Sequence, residues 1–437
     1  VKPHPSFRDP QMHFLAPIAA LLVGVALLLL GGGLLGTLLA VRGSGEGFSD
    51  AVVGIVMSGY FVGFFLGTFL APGIIRRIGH IRAFALFAAL ATCAVLMHVV
   101  LVSPAWWFAF RVVTGIALVA LYTVIESWLS ARSEPIERGR VFAVYMAVTL
   151  AALAAGQHLL RLDDGGALLF ALVAILVCAA MIPVTLTSQA QPVLHDTPRL
   201  NLLHLYHRVP TAVAGALFSG LAMGAFWALG PLFATRSGLI DSQIAWFMSI
   251  GILGGMLLQW PIGRLSDRHD RRYALLAVAI LAAVVAFVGA FAGGEPGAQR
   301  LGVLYVVVFL YGGLAFAIYP VSVAHLMDHL EPSDLLQGSS TVLLLHGVGA
   351  ALSPLLAGVA MGRFGPDALW MFFAITQLLL AVAVAWRLLV RRRAATFDGH
   401  FLPMLRTTPA ALDMIPDAEP ARGPGTDEDE DDTPPAL

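Results

Sequence analysis

Charge is what this sequence most lacks. Aspartate, glutamate, lysine and arginine make up 12% of its 437 residues, about half the share of an ordinary soluble domain. With 58% hydrophobic residues beside so little charge, a soluble enzyme or a nucleic-acid-binding module is excluded, and neither a nucleic-acid partner nor a cofactor is expected. Cysteine is nearly absent: Cys93 and Cys178 both fall inside apolar runs, where a thiol acts as a small hydrophobe, and no disulfide is suggested. A phosphate-cradling G-x-x-x-x-G-K-[ST] loop is missing too, so ATP is not the energy source. The glycines of Gly31-Gly32-Gly33-Leu34-Leu35-Gly36 spell G-x-G-x-x-G. They lie within an apolar run, without the strand and helix opening that a dinucleotide site needs, and read as a place where two helices approach closely.

Long apolar runs are what the chain has instead. A membrane-spanning helix needs roughly 20 apolar residues. Twelve such runs begin near Phe14, Asp50, His80, Ala105, Val141, Ala167, Thr211, Gln243, Tyr273, Leu301, Thr341 and Leu369. Lys2 and Arg8 precede the first, but that run, Phe14 to Val41, is far longer than the roughly 7 to 15 residues of a signal peptide and is expected to be an uncleaved span. With both termini cytoplasmic, 18 arginines and lysines fall on the inner side and five on the outer, the asymmetry of an inner or plasma membrane protein. Residues 398–437 hold ten acids and two arginines, so the formal charge of -1 leaves the body at +7, a face suited to anionic lipid. The acidic run Asp427 to Asp432 cannot bury enough apolar surface to fold, and the tail is expected to be disordered.

The stretch Gln259 to Arg272 reads as a charge-dense link in water between two spans, broken from the first by Pro261. The chain also repeats itself. At an offset of 191, Met57-Ser58 aligns with Met248-Ser249, Gly63 with Gly254, Arg76 with Asp267 and Arg77 with Arg268. At an offset of 197, Gly115 aligns with Gly312 and Tyr122 with Tyr319.

Gly263-Arg264-Leu265-Ser266-Asp267-Arg268-x-x-Arg271-Arg272 resembles the G-x-L-x-D-R-x-G-R-R loop signature of the major facilitator superfamily, with Asp270 where the second glycine stands. Arg111 to Gly115 is similar to that superfamily's R-x-x-x-G motif of the fourth span. With Gly59 to Gly67, Tyr122 to Trp128 and Gly224 to Pro231, residues 14 to 395 resemble its YcaD-like branch. The resemblance implies an all-α fold of two pseudo-symmetric six-helix bundles around a central site, working by alternating access. Its parts are a lead over 1–13, bundles over 14–187 and 210–395, a linker over 188–209 and the tail over 396–437. A monomer is expected in the lipid bilayer. Gating falls to Arg76, Arg77, Gly263, Asp267, Arg268, Arg271 and Arg272, with Asp267 anchoring the second bundle. The chain lacks the Gly-Pro pair that marks the fifth span of many drug antiporters in the superfamily.

Ionisable groups at membrane depth are the candidates for transport, because such a position costs several kcal/mol without a cavity or partner. Arg111 has two readings: it faces the cavity and meets an anion, or it snorkels to the outer boundary. Glu126, about 30 Å along that span from Trp106, either takes up a proton as the cavity closes or pairs permanently with a gate arginine. His325-Leu326-Met327-Asp328-His329 superficially matches a zinc motif but lacks an identifiable third ligand; His325 is expected as a cavity or titrating residue, with Asp328 and His329 in the inner gate. Tyr60, Tyr122, Trp227 and Tyr319 offer flat apolar faces with one hydrogen bond each, and Gln259 and His346 are polar cavity candidates. The expected function is secondary transport of a small molecule, coupled to protons. An intramembrane metal-dependent enzyme, and a transport-derived sensor or lipid scramblase, are the alternatives.

Overall fold

The computed structural model describes residues 18–134, 136–162, 166–185, 202–292, 298–330 and 332–390, with Pro403, Met404 and Thr408. Its helices are α1 (Ala19–Gly45), α2 (Asp50–Ile78), α3 (His80–Val100), α4 (Pro104–Arg132), α5 (Arg138–Gln157), α6 (Ala167–Thr185), α7 (Leu202–Arg208), α8 (Pro210–Arg236), α9 (Asp241–Arg268), α10 (Arg271–Phe291), α11 (Ala298–Met327), α12 (Pro332–Phe364) and α13 (Ala368–Val390). All but the short α7 are long and apolar enough to cross a membrane, which gives twelve spans among the described residues. In hydrocarbon only a helix or a closed barrel satisfies every backbone group, and among the described residues there is no strand.

The helix ends follow local chemistry. Pro104 and Pro210 open α4 and α8, where the missing N–H costs nothing. The Asp270 carboxylate accepts from the Arg272 amide at 3.0 Å to cap α10. Gly79, at φ 84°, is the single residue between α2 and α3, a turn for which other side chains are ill suited.

Two expectations need correction. The eleventh span was expected from Thr341, but α12 starts at Pro332; a proline at the first position and Asp334 in the first turn favour helix despite the polar sequence. The link expected over Gln259 to Arg272 is only His269 and Asp270, since α9 runs through Pro261 to Arg268. A spanning helix tolerates that proline because neighbouring groups satisfy the freed carbonyl. Of the tail over 396–437 only Pro403, Met404 and Thr408 are described, Met404 and Thr408 being buried; the rest of the tail, the acidic run included, lies outside the described residues. The linker expectation over 188–209 falls on described residues only from Leu202, where α7 forms.

The repeat is physical. In the first half α2 packs on α4, α1 on α5 and α6, and α3 on α4 and α6. The second half reproduces this, with α9 on α11, α8 on α12 and α13, and α10 on α11 and α13. The paired glycines occupy the matching crossings. A Cβ on Gly63 would lie 2.1 Å from the Val112 carbonyl oxygen, and one on Gly254 would lie 2.0 Å from that of Phe309. From the opposite helices, Gly115 faces the Tyr60 carbonyl at 2.2 Å and Gly312 that of Gly251 at 2.1 Å. Glycine is required at all four because backbone touches backbone.

Tight contacts between the halves gather where α1 ends and α2 begins. Arg236 at the end of α8 donates to Asp50 at 2.8 Å and to the Phe48 carbonyl at 3.1 Å. Gly54 of α2 abuts the Pro354 carbonyl of α12, a Cβ there falling at 2.2 Å. Ser249 of α9 donates to the Ala154 carbonyl of α5 at 2.8 Å and lies 3.1 Å from His158. This end is closed by both helix pairs.

Candidate functional site

Between the halves lies a cavity walled by α1, α2, α4, α5, α8, α9, α11 and α12. Arg111, Tyr60, Tyr122, Glu126, Trp227, Tyr319 and His346 all line it. Seven side chains chosen by residue type and depth therefore meet around one space.

Helix α4 sets the polarity of that space. Arg111 and Glu126 are 15 positions apart on it, about 22 Å at the helical rise, with Arg111 toward the closed end. Arg111 is 5% exposed, and its guanidinium carbon sits 4.7 Å from the centroid of the Tyr60 ring. Its Nε has no hydrogen-bond partner and no carboxylate pairs with it among the described residues. A guanidinium in that state is held by a ring face while its donors stay available. The snorkelling alternative does not describe this side chain, which faces the cavity.

Glu126 is fully buried. One carboxylate oxygen accepts the Tyr145 hydroxyl at 2.7 Å. The other accepts the Thr408 amide at 2.9 Å and, in a very short contact, the Thr408 hydroxyl. Between the two poles the wall is apolar and aromatic: Phe64, Leu118, Met223 and Phe316 line it, with Trp227 packed edge-on to Phe316 at 5.8 Å between centroids. Across from them Tyr319 and His346 lie 4.8 Å apart.

Two candidates are elsewhere. Gln259 is buried at 1% exposure without lining the cavity; its depth was legible, its face on α9 was not. His325 is buried beside His329, with ring centroids 4.4 Å apart, and belongs to the charged cluster at the start of α10 rather than to the cavity. There Arg271 is shared by Asp328 at 2.5 Å and Asp267 at 2.8 Å. Asp328 is the more buried acid, its side chain 11% exposed against 31% for Asp267, so the anchoring expected of Asp267 is divided between two carboxylates. Burial alone would raise the Asp270 carboxyl, but hydrogen bonds from the Arg272 side chain and amide hold it below the usual range. Arg76, Arg77, Arg264 and Arg268 are exposed at this same end, and Gly263 is buried.

Several lining residues escaped the sequence reading. Gln157 accepts the Thr37 hydroxyl and donates to the Gly33 carbonyl at 3.1 Å, tying α5 to the glycine run of α1. Ser219 lines the cavity with a buried, unpartnered hydroxyl among the described residues. Tyr145 and Met404, which line the cavity, and Thr408, which donates to Glu126, had no local signal, because their neighbours are far away in sequence.

Comparison with known proteins agrees with this architecture. A family model described as Major Facilitator Superfamily matches residues 212–403. The chain is 30% identical over 369 residues to the uncharacterized MFS-type transporter YcaD of Shigella flexneri, covering 83% of this chain and 94% of that protein. The Escherichia coli YcaD of strain SE11 matches at the same identity and coverage. Among solved structures, the nucleoside transporter NupG superposes with a TM-score of 0.71 at 16% identity, over 86% of this chain and 99% of that one. A bacterial homolog of the human lysosomal transporter Spinster, inward-facing and occupied, gives 0.68 at 16% identity over 89% and 98%. The E. coli fucose:proton symporter FucP gives 0.53 at 15% over 86% and 99%. At these identities the solved structures speak for the fold alone.

Proposed function

The chain belongs to the major facilitator superfamily and is an integral membrane transporter, and from that premise we propose that it carries a small organic molecule bearing an anionic group, coupled to protons through Glu126. The observation that carries this reading is Arg111: buried, on the cavity wall, and without a carboxylate partner among the described residues. A cation at membrane depth faces a cavity or a partner, and a guanidinium whose donors meet no carboxylate is suited to an anionic group of the cargo. The apolar and aromatic wall beyond it suits the uncharged part of an amphiphilic cargo.

Orientation follows the arginine asymmetry, which puts the closed end on the outer side. The exposed Trp260 with Arg264 stacked at 3.5 Å fits a headgroup anchor on the inner side. Glu126 is then the carboxylate on the cavity wall toward the inner end, wetted or dried as the halves rock. A proton taken up there and released on the other side would couple transport to a pH gradient. The fucose:proton symporter among the fold relatives is in keeping with such coupling.

The test is a thermal-shift panel of organic carboxylates, organic phosphates, sugars and nucleosides on the purified protein, followed by uptake of the best stabiliser into proteoliposomes. Anionic compounds should stabilise the wild type. Arg111→Gln should weaken their binding by about 10- to 100-fold, the worth of a hydrogen bond to a charged group. Stabilisation by neutral compounds only, or anion binding indifferent to Arg111→Gln, would remove the anionic cargo. Uphill uptake driven by an inward pH gradient should disappear in Glu126→Gln while exchange persists.

A further inference from the structure

The buried carboxylate of Glu126 is met by the chain's own C-terminal tail. Thr408 reaches it across 282 positions of sequence, giving one carboxylate oxygen both its amide and its hydroxyl. Met404, four residues earlier, is buried and lines the same cavity. Met404 thus stands in the space between the halves and Thr408 on its carboxylate wall. The path is short enough: α13 ends at Val390, and 18 residues span up to about 60 Å when extended. That helix ends at the Glu126 end of the molecule, opposite the closed end. Charge favours the arrangement as well. The tail carries ten acids against two arginines, while the body is at +7 with arginines concentrated around this mouth, so the tail is drawn toward it.

We propose that the C-terminal tail is a tethered ligand of the central cavity, anchored by Thr408 on Glu126 and by Met404 on the apolar wall, and that it must leave before cargo can enter. With Met404 in place the cavity retains about 160 Å³, below the roughly 300 Å³ at the lower end of small-molecule pockets. Tail and cargo therefore exclude one another. A tether of this length holds the tail at an effective concentration on the order of millimolar, so even a weak docking contact keeps the cavity filled at rest. The carboxylate assigned to proton coupling is then the same group that senses the tail. The docking itself requires no transport, and its test uses no cargo, so it stands or falls separately from the functional reading above.

Hydrogen exchange read by mass spectrometry on full-length protein measures the anchoring bond directly. In the wild type the Thr408 amide should be protected relative to its random-coil rate. Thr408→Asp puts a carboxylate against Glu126 from a position outside every span, so the fold is left intact; exchange at position 408 should accelerate at least tenfold, as expected when hydrogen bonds to a charged acceptor are lost. Glu126→Ala should expose the same amide from the other side of the contact. In parallel, a Cys93→Ser, Cys178→Ser protein with a single cysteine at Tyr122 should react with a soluble maleimide about tenfold faster when Thr408→Asp is added. A Thr408 amide that exchanges at the random-coil rate in the wild type overturns the proposal, as does a maleimide rate that Thr408→Asp leaves unchanged.

Discussion

Adding one methyl group at a repeat crossing tests the architecture most severely. In Gly63→Ala the new Cβ would stand 2.1 Å from the Val112 carbonyl oxygen and 2.8 Å from the carbon behind it. Both obstacles are backbone, so no side chain can rotate away, and α2 and α4 must separate by about an ångström to restore van der Waals contact. Overpacking of this kind costs roughly 1–3 kcal/mol even where side chains can adjust, and here the upper value applies. At roughly 2–4 °C per kcal/mol for a unit the size of one half, the melting temperature should fall by about 6 °C or more. Gly254→Ala, with 2.0 Å to the Phe309 carbonyl, should cost the same in the second half. The control is Gly73→Ala on the same helix, where a Cβ meets nothing within 4 Å and the gain in helix propensity is about 1 kcal/mol. Scanning fluorimetry of the three purified variants decides the matter. If Gly63→Ala melts within a degree or two of Gly73→Ala, the helices do not touch as described and the paired-bundle account loses its physical basis.

The remaining predictions concern the charges. Asp328→Ala should destabilise by about 3 kcal/mol, because it strips a partner from a buried arginine, whereas Asp267→Ala should cost under about 1 kcal/mol since that acid is partly solvated; the difference is read by the same melting assay. Arg236→Gln or Asp50→Asn removes a partly exposed pair at the closed end, worth up to about 1 kcal/mol, and should raise cysteine labelling from that side by up to about fivefold. The contribution of Asp270 to capping α10 should be complete above the ordinary carboxylate range and be lost as pH falls through its lowered value, so wild type and Asp270→Asn should converge in melting temperature only in strong acid.

The fold was legible because membrane physics is coarse. Spans of apolar residues, a two-sided arginine count and a repeat with glycines at matched positions leave few alternatives, and the glycines proved to sit where two backbones meet. The cavity was half legible. Arg111 and Glu126 stood out because charge is rare at that depth, and the aromatic candidates lay on the right helices. What failed was facing. Gln259 and His325 are as deep or as polar as the residues that line the cavity, but apolar spans are hydrophobic all round, so their pattern does not say which side looks inward. Tyr145 and Thr408 were beyond reach for another reason: their role is defined by Glu126, 19 and 282 positions away, and nothing local in either stretch announces it. Nor could the acidic composition of the tail announce the burial of Met404 and Thr408, because composition weighs a segment's own burial and not a cavity elsewhere in the chain.

Alternating access itself is tested most directly by spin-label distances at the two ends of the molecule in a cysteine-free background. One pair, at Ser49 and Ile240, spans the closed end; the other, at Arg77 and Arg268, spans the opposite mouth, and all four positions are exposed. Asp50→Asn unlatches the closed end without any ligand. The account predicts that the Ser49–Ile240 distribution then gains a longer component while the Arg77–Arg268 distribution gains a shorter one, in equal proportion. Lengthening at one end with no shortening at the other would contradict it, since two halves rocking about a central cavity cannot open one end without closing its opposite.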